Sequence, residues 1–322
     1  MKFRKSPLKA LLFVLLSGLV ICGLVGATSR AYSKSQKTEQ AKTSQATSSP
    51  APADEYVGAE TCKTCHEDIY NNFKKTEHFK LTLYSNWKVS DKGCESCHGP
   101  GKAHVDGGGD KTKIRTFQDL APKQISEVCL RCHAGREEHN NYKRGEHWRN
   151  DISCVNCHNP HGPKATNKML TDKEPALCFS CHNEMKSQFS MPFHHKVPEG
   201  AMKCSDCHNP HGGFELKQVR LATGADTPCM KCHADKQGPF VFEHAPLRVE
   251  GCVICHNPHG SDNPKLLKRN EVRQLCLECH TDVGTIAPNT PSFHNQATAR
   301  FQNCTTCHAR IHGSNVDRFF FR

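Results

Sequence analysis

The stretch Cys204-Ser-Asp-Cys-His-Asn-Pro-His-Gly212 contains the unit from which this chain is built. Its first five residues have the form Cys-x-x-Cys-His, and this motif occurs ten times and includes twenty of the twenty-one cysteines. Two thiols at this spacing can each bind one vinyl group of the same porphyrin, and the next histidine then lies under the iron. The motif therefore predicts ten covalently attached haem c groups.

The motifs are numbered 1 to 10 in chain order. The predicted attachment cysteines are Cys62, Cys65, Cys94, Cys97, Cys129, Cys132, Cys154, Cys157, Cys178, Cys181, Cys204, Cys207, Cys229, Cys232, Cys252, Cys255, Cys276, Cys279, Cys304 and Cys307. The predicted proximal iron ligands are His66, His98, His133, His158, His182, His208, His233, His256, His280 and His308.

Other uses of paired cysteines explain this pattern less well. A zinc site needs Cys-x-x-Cys pairs but has no use for a histidine directly after each pair. A thioredoxin-like redox site needs one pair in a βαβ unit, and a disulfide framework would not hold every spacing to two residues. Cys22 is the one cysteine outside the motifs, and Ile21 before it argues against a lipid-modified cysteine.

The remaining histidines follow the motifs regularly. One lies between the two motifs of each pair, and another follows each even-numbered motif. The chain has 22 histidines, so twelve remain after the proximal ligands, and two histidines on every iron would use ten of them. The predicted distal ligands are His78, His147, His195, His244 and His294 between motifs, and His104, His161, His211, His259 and His312 after them. His194 is the alternative to His195, and His139 is predicted to be a surface residue.

In motifs 4, 6 and 8 the second histidine follows the proximal one by only three residues. The two axial ligands of one iron lie on opposite faces of the porphyrin, and so short a link cannot pass around it. We therefore expect His161, His211 and His259 to bind neighbouring haems and to tie consecutive haems together. Asn-Pro between the two histidines fixes the turn, and the following glycine gives the backbone room. The methionines follow no repeat and are expected to pack.

Two histidines on every iron would leave no open position for a substrate, so the pattern favours electron transfer over catalysis. No acid–base pair, nucleophile or phosphate-binding loop stands out in the sequence, and we predict no catalytic residue.

The N-terminus predicts export. Four basic residues precede the apolar run Ala10–Val25, which is short for a membrane span and typical of a signal peptide. We predict a signal peptide over residues 1–33, with cleavage after Ala27 as a second possibility and an uncleaved membrane anchor as the alternative. Residues 34–55 are rich in Ser, Thr, Gln, Lys, Ala and Pro, which predicts a disordered tether.

The basic balance of the chain does not indicate nucleic acid. Residues 1–33 hold five of the 43 basic residues and no acidic ones, so their removal lowers the formal charge from +11 to +6. Ten ferric haems, each contributing about one negative charge through its propionates, would bring the holoprotein to roughly −4.

The apolar content is too low for an ordinary hydrophobic core. Aromatic residues make up 7% of the chain, and no long amphipathic or alternating segment separates the motifs. We therefore expect a mostly irregular fold with short α-helices and little or no β-structure. The haems would form its core, and the haem-free chain would not fold.

Beyond the motifs, residues 57–315 resemble the periplasmic decahaem c-type cytochromes of the MtrA/DmsE type. The resemblance lies mainly in Cys204–Gly212, Glu243-His-Ala-Pro246, Cys252-Val-Ile-Cys-His-Asn-Pro-His-Gly260 and Ile311-His-Gly-Ser-Asn315. In the first half it rests on Cys94-Glu-Ser-Cys-His-Gly-Pro with His104.

The resemblance implies an elongated fold with two similar pentahaem halves, here residues 56–186 and 187–322. It also implies a periplasmic location at the outer membrane, where family members insert into a β-barrel porin. Their partners are periplasmic or inner-membrane donor cytochromes and an extracellular multihaem cytochrome or reductase. The residues alone leave three functions open: such a conduit, a soluble periplasmic electron shuttle, and a multihaem reductase with one open iron.

Overall fold

The computed structural model describes residues 52–84, 86–162, 167–214, 228–283, 294 and 299–321. The predicted signal peptide and residues 34–51 of the predicted tether lie outside the described residues. The last part of that predicted tether, Ala53–Glu55, forms a single exposed 3-10 turn. Among the described residues, no helix is both long enough and apolar enough to cross a membrane.

Short helices joined by irregular segments make up the fold, as the sequence predicts. The α-helices are α1 Ala59–Lys63, α2 Glu67–Phe73, α3 Glu77–Lys80, α4 Glu95–His98, α5 Lys102–Asp106, α6 Pro122–His133, α7 Glu146–Arg149, α8 Cys154–Cys157, α9 Ala176–Phe179, α10 Asn183–Gln188, α11 Cys204–Cys207, α12 Ala245–Val249 and α13 Val272–Leu277. Single 3-10 turns are Ala53–Glu55, Leu81–Leu83, Val89–Asp91, Lys111–Lys113, Tyr142–Arg144, Asn167–Met169, Pro228–Lys231, Ala234–Lys236, Cys252–Ile254, Pro264–Leu266, Ala299–Phe301 and Cys304–Thr306.

In place of sheets, the described segments form isolated β-bridges. These join His158 to Leu170, Phe193 to Ser261, Phe242 to Ser314 and His256 to Leu267. The second and third of these bridges join segments that are far apart in the chain. The prediction of a mostly irregular fold with short helices is confirmed.

The longest helix, α6, shows why helices remain short here. Pro122 opens it at the first helical position, and the Gln124 side-chain oxygen accepts a hydrogen bond of 2.9 Å from the Ala121 backbone N–H. Ile125 and Leu130 are buried on one face. Ala134 is extended and Gly135 has a positive φ of 83°, so the helix ends at His133, the last residue of motif 3.

The buried apolar core is small, as the composition predicts. Seven apolar side chains are buried among the described residues: Tyr70, Phe73, Ile125, Leu130, Tyr142, Phe189 and Val197. They lie in separate small groups, such as Tyr70 and Phe73, which both pack edge-on against Phe79. So few buried side chains supply little of the hydrophobic free energy that a chain of this length needs.

One buried carboxylate, Glu95, holds the start of the described chain against motif 2. It is 3% exposed and accepts backbone hydrogen bonds from Val57, Gly58 and Gly101 at 3.0, 2.8 and 2.7 Å. A buried charge is tolerated where several donors satisfy it, and these three donors do so.

Residues 52–322 form one compact unit. Contacts cross the predicted boundary after residue 186: Glu174 accepts hydrogen bonds from the Ser205 N–H at 3.0 Å and from its hydroxyl at 2.9 Å. The division into pentahaem halves at 56–186 and 187–322 stays a prediction.

The glycine after the second histidine makes room for the preceding part of the chain, as predicted, at two of three positions. A Cβ at Gly212 would overlap the carbonyl oxygen of Asn141, and one at Gly260 would overlap that of Gln188. At Gly162 the nearest atom to a Cβ would be Asn72 Nδ2 at 3.8 Å, which is ordinary contact.

Replacing Gly260 with alanine is therefore expected to destabilise the holoprotein, because the new methyl group must push away the Gln188 backbone. Overpacking of this kind costs about 1–3 kcal/mol. The denaturant midpoint of Gly260→Ala should fall, while that of Gly162→Ala, the same position in an earlier motif, should not change. Equal midpoints for the two variants would contradict this packing.

Candidate haem ligands and their pairing

Each attachment motif forms a single helical turn. Outside α6, the backbone N–H of the motif histidine donates to the carbonyl of the first motif cysteine at 2.9–3.1 Å, as in motifs 1, 4 and 8. One turn brings two residues three apart to the same side of the helix. The local fold therefore presents both thiols of a motif together, as attachment to one porphyrin requires.

The first cysteines of neighbouring motifs lie in contact, which brings the attachment points of the two motifs together. The contacting pairs are Cys62 with Cys94, Cys129 with Cys154, Cys178 with Cys204, and Cys276 with Cys304. In one pair, a hydrogen bond from the Cys129 thiol lowers the pKa of Cys154 to about 6 and raises that of Cys129. Cys178, Cys204 and the Glu174 carboxylate have ligand atoms within 4.8 Å of one another.

The predicted histidine ligands lie in facing pairs. Two imidazoles on opposite sides of one iron have ring centres about 6 Å apart, since each metal–nitrogen bond is about 2 Å long. The ring centres of nine proximal histidines each lie 5.8–6.4 Å from that of one predicted distal histidine.

The pairs follow a register of two motifs. Proximal histidines of even motifs face the histidine that follows the next even motif: His98 with His161, His158 with His211, His208 with His259, and His256 with His312. Proximal histidines of odd motifs face the histidine that lies between the two motifs before them: His133 with His78, His182 with His147, His233 with His195, and His280 with His244. His161, His211 and His259 thus each face the proximal histidine of another motif; that they tie consecutive haems together stays a prediction.

The two ends of the chain depart from this register. The ring of His66, in motif 1, faces that of His104, which follows motif 2, with ring centres 6.4 Å apart. At the other end, the segments on both sides of His294 lie outside the described residues.

Comparisons with known proteins show the family of this chain. A family model for the doubled CXXCH motif matches residues 146–187, 194–238 and 244–285, and one for cytochrome c554 and c-prime matches residues 61–89 and 105–159. The multiheme cytochrome MtrA of Shewanella baltica (strain OS185) is 34% identical over 271 residues, which cover 80% of this chain and 79% of that protein. This chain belongs to the MtrA family of multihaem cytochromes. Its CxxCH motifs bind haem c covalently, and it is an electron-transfer protein.

In this MtrA-family chain, hydrogen bonds from Nδ1–H to backbone carbonyls orient several of the predicted ligand imidazoles. His104 pairs through Nδ1 with the Asp110 carbonyl at 2.9 Å. His147 pairs with the Pro210 carbonyl at 2.9 Å and His195 with the Pro258 carbonyl at 2.6 Å, each 63 residues away. When Nδ1 carries the proton for such a bond, Nε2 remains free to bind iron. These distant carbonyls are functional groups that the sequence analysis missed.

The same geometry distinguishes His195 from His194. Both ring nitrogens of His194 are occupied, Nδ1 by the Met191 carbonyl at 2.6 Å and Nε2 by Glu199 at 3.0 Å. His195 instead faces His233 of motif 7, with ring centres 6.3 Å apart.

Replacing His195 with alanine is expected to open one iron, at motif 7, to external ligands. The ferrous variant should bind one CO per polypeptide, measured by optical titration, and the ferric variant should show a high-spin signal. His194→Ala should bind none, because it removes only the hydrogen bonds to the Met191 carbonyl and to Glu199. CO binding by His194→Ala alone would reverse the assignment.

Burial keeps several distal imidazoles in the neutral form that binds metal. Desolvation lowers the pKa of His78, His244 and His312, because a buried imidazolium loses hydration. Burial likewise lowers the pKa of the proximal His133 to about 4. Neutral imidazole can bind iron without first releasing a proton.

The proximal histidines of motifs 4 and 8 are also oriented by hydrogen bonds between Nδ1 and a backbone carbonyl. In each case the carbonyl belongs to a segment that folds back onto the motif about ten residues later. In motif 4, Nδ1 of His158 pairs with the Lys168 carbonyl at 2.6 Å, and the Asn159 N–H donates to the Met169 carbonyl at 2.7 Å. In motif 8, Nδ1 of His256 pairs with the Lys265 carbonyl at 2.8 Å.

Motif 8 also has the second hydrogen bond seen in motif 4: the Asn257 N–H donates to the Leu266 carbonyl at 2.7 Å. In both motifs the two acceptor residues have positive φ, from 54° to 61°. We call this pair of hydrogen bonds to successive left-handed residues a clasp.

His139 was predicted to be a surface residue, and that prediction is wrong. Its ring centre lies 5.3 Å from that of His133 and 4.4 Å from that of His211, and its Nδ1 atom is buried. The cause is a turn in which the His139 and Asn140 N–H groups both donate to the Arg136 carbonyl. No repeat in the sequence indicated this position.

A cavity lies beside motif 5. It has a volume of about 510 Å³, within the roughly 300–1,000 Å³ range of small-molecule sites. It is lined by Pro175, Ala176, Phe179, Ser180, Lys186 and Pro198. Cys178, Cys181 and His182 are not among the residues that line it, so this cavity is not the site of the haem that motif 5 would attach. The fit to haem is instead seen in the facing imidazole pairs, whose ring centres are spaced for one iron between them.

Proposed function

We propose that this chain carries ten haem c groups, each held by two of its histidines, and conducts electrons across the outer membrane inside a β-barrel porin. Its electron donors would be periplasmic or inner-membrane cytochromes, and its acceptor an extracellular multihaem cytochrome or reductase. It would reside in the periplasm, associated with the outer membrane. When bound, the haems supply reversible one-electron chemistry.

One observation carries this proposal: nine proximal histidines each face one predicted distal histidine, and in eight of these pairs the partner follows the two-motif register described above. Each pair joins residues from different parts of the repeat: the pairs of even motifs link one even motif to the next, and the pairs of odd motifs link each odd motif to the motif pair before it. Contacts between first cysteines bring the odd and even sites together in four of the five motif pairs: motifs 1 and 2, 3 and 4, 5 and 6, and 9 and 10. The chain's own residues thus hold the sites close to one another, as stepwise electron transfer requires.

The tenth site is assigned by elimination. His308 of motif 10 needs a distal partner, and His294 is the predicted distal ligand that the nine pairs leave over. It would mirror His104 at the other end, since each terminal motif lacks the neighbour that the register would otherwise use. This assignment completes the twenty histidine ligands proposed for the chain.

The location in a porin rests on the resemblance to MtrA-type cytochromes and on the MtrA relative. The test is to fractionate native cells in mild detergent, follow the protein by haem stain, and identify what co-purifies. Recovery in the outer membrane, bound to a large barrel protein, would support the conduit. A soluble periplasmic enzyme serves as the control for leakage.

Recovery of the cytochrome as a free monomer together with that soluble control would overturn the conduit. It would favour a periplasmic electron shuttle, and the proposed ligand pairs would survive that outcome. A high-spin ferric signal in the purified protein would instead favour a reductase, because a reductase needs an iron with an open position.

A further inference from the structure

The last residues of the chain, 317–321, contain no cysteine and no histidine, yet they contact the ligands of the last two motifs. Nδ1 of His308 pairs with the Phe319 carbonyl at 2.5 Å, and the Arg310 N–H donates to the Phe320 carbonyl at 3.0 Å. Phe320 has a positive φ of 60°. These two bonds to successive carbonyls resemble the clasp of motifs 4 and 8. They differ in that only Phe320 of the two acceptor residues is left-handed, and the N–H donor lies two residues after the histidine instead of one.

The aromatic rings of this segment reinforce the same contacts. The Phe321 ring stacks on His308, with centres 4.9 Å apart and planes 30° from parallel. The Phe320 ring lies edge-on to His244, with centres 5.6 Å apart, and His244 faces His280 of motif 9. The segment therefore touches one ligand of each of the last two proposed sites.

A buried serine anchors the segment to the rest of the fold. The Ser314 hydroxyl accepts from the Val316 and Asp317 N–H groups at 3.2 and 3.1 Å, and Ser314 is 1% exposed. Its backbone bridges to Phe242 through hydrogen bonds of 2.8 and 2.9 Å. The Asp317 carboxylate then accepts from the Phe319 N–H at 2.8 Å, so the Phe319 carbonyl is fixed in place.

We propose that Asp317–Phe321 is the terminal clasp of the chain, which positions His308 and lowers the reduction potential of the haem at motif 10. In motifs 4 and 8 the clasp lies between that motif and the next, whereas here it follows motif 10. A hydrogen bond from Nδ1–H to a carbonyl makes the imidazole a more basic ligand, and a more basic ligand stabilises the ferric state. The inference rests on the proposed ligation of haem by His308.

The test compares Phe320→Pro with Phe320→Gly in the full-length holoprotein. Proline fixes φ near −65° and so cannot adopt the left-handed conformation that the clasp needs, whereas glycine adopts it freely. Both variants lose the Phe320 ring, so only the backbone differs. Spectropotentiometric titration should show one of the ten haems shifted to higher potential in Phe320→Pro, beyond any shift in Phe320→Gly.

A truncation provides a second, independent variant. Ending the chain after Arg318 removes the Phe319 carbonyl itself, and ending it after Phe321 removes only Arg322. The first should reproduce the upward shift of one haem, and the second should titrate like the parent. Superimposable titrations of Phe320→Pro, the Arg318 truncation and the parent would overturn the proposal.

The parent protein separates this inference from the proposed function. Its intact mass gives the number of attached haems, and its ferric spectrum gives the number with two histidine ligands, before any variant is made. If motif 10 lacks a haem in the parent, the proposed function fails at that site. If the haem is present and the variants leave its potential unchanged, the terminal clasp alone fails.

Discussion

A chain that carries no haem is expected to remain unfolded under conditions in which the holoprotein is stable. The seven buried apolar side chains among the described residues cannot offset the conformational entropy of ordering the chain. Iron bound between the facing imidazoles would supply the strongest link within each histidine pair, since each metal–nitrogen bond is far stronger than a contact between rings about 6 Å apart. Cofactor binding and folding are then one process, as in small metal-dependent domains.

The experiment uses the mature chain made without haem attachment and kept reduced, so that its twenty motif thiols cannot form disulfides. Circular dichroism should show a largely disordered chain with no cooperative thermal transition, and amide resonances should show little dispersion. The haem-loaded protein in the same buffer is the control. A cooperative transition in the haem-free chain would show that side-chain packing alone suffices.

Replacing His161 with alanine is expected to open the iron at motif 2, although His161 directly follows motif 4. The reason is the register, in which His161 faces His98 with ring centres 5.8 Å apart. The ferrous variant should bind one CO per polypeptide where the parent binds none. Losing a histidine ligand should also raise the reduction potential of that one haem.

A double-mutant comparison shows which haem His161 serves. Cys94→Ser with Cys97→Ser removes the haem of motif 2, and Cys154→Ser with Cys157→Ser removes that of motif 4. In the first background His161→Ala should create no new CO site, because the iron it would expose is absent. In the background that lacks the haem of motif 4, His161→Ala should still create one CO site. The opposite pattern would place His161 on a haem other than that of motif 2.

The sequence predicts those features of the site that are local in the chain. Ten CxxCH motifs identify the attachment cysteines and proximal histidines, because one helical turn is enough to bring them together. The number and regular positions of the remaining histidines identify the candidate distal ligands. Low aromatic content and the absence of long amphipathic segments correctly predict a mostly irregular fold.

Partners that are far apart in the chain could not be predicted in this way. The pairing of His208 with His259 and the hydrogen bond from His195 to Pro258 depend on how successive repeats pack. A backbone carbonyl also leaves no trace in the residue type, so Lys168 and Phe319 gave no signal. His139 was misplaced because a local turn, invisible to the repeat pattern, directs its ring inward.

Every haem of this chain is proposed to be held by two of its own histidines. Near-infrared magnetic circular dichroism of the fully oxidised holoprotein tests it most directly, because the charge-transfer band of ferric haem identifies the axial ligands and its intensity counts them. We expect ten bis-histidine low-spin haems per polypeptide and no high-spin band. A count below ten, a histidine–methionine band or a high-spin band would contradict it.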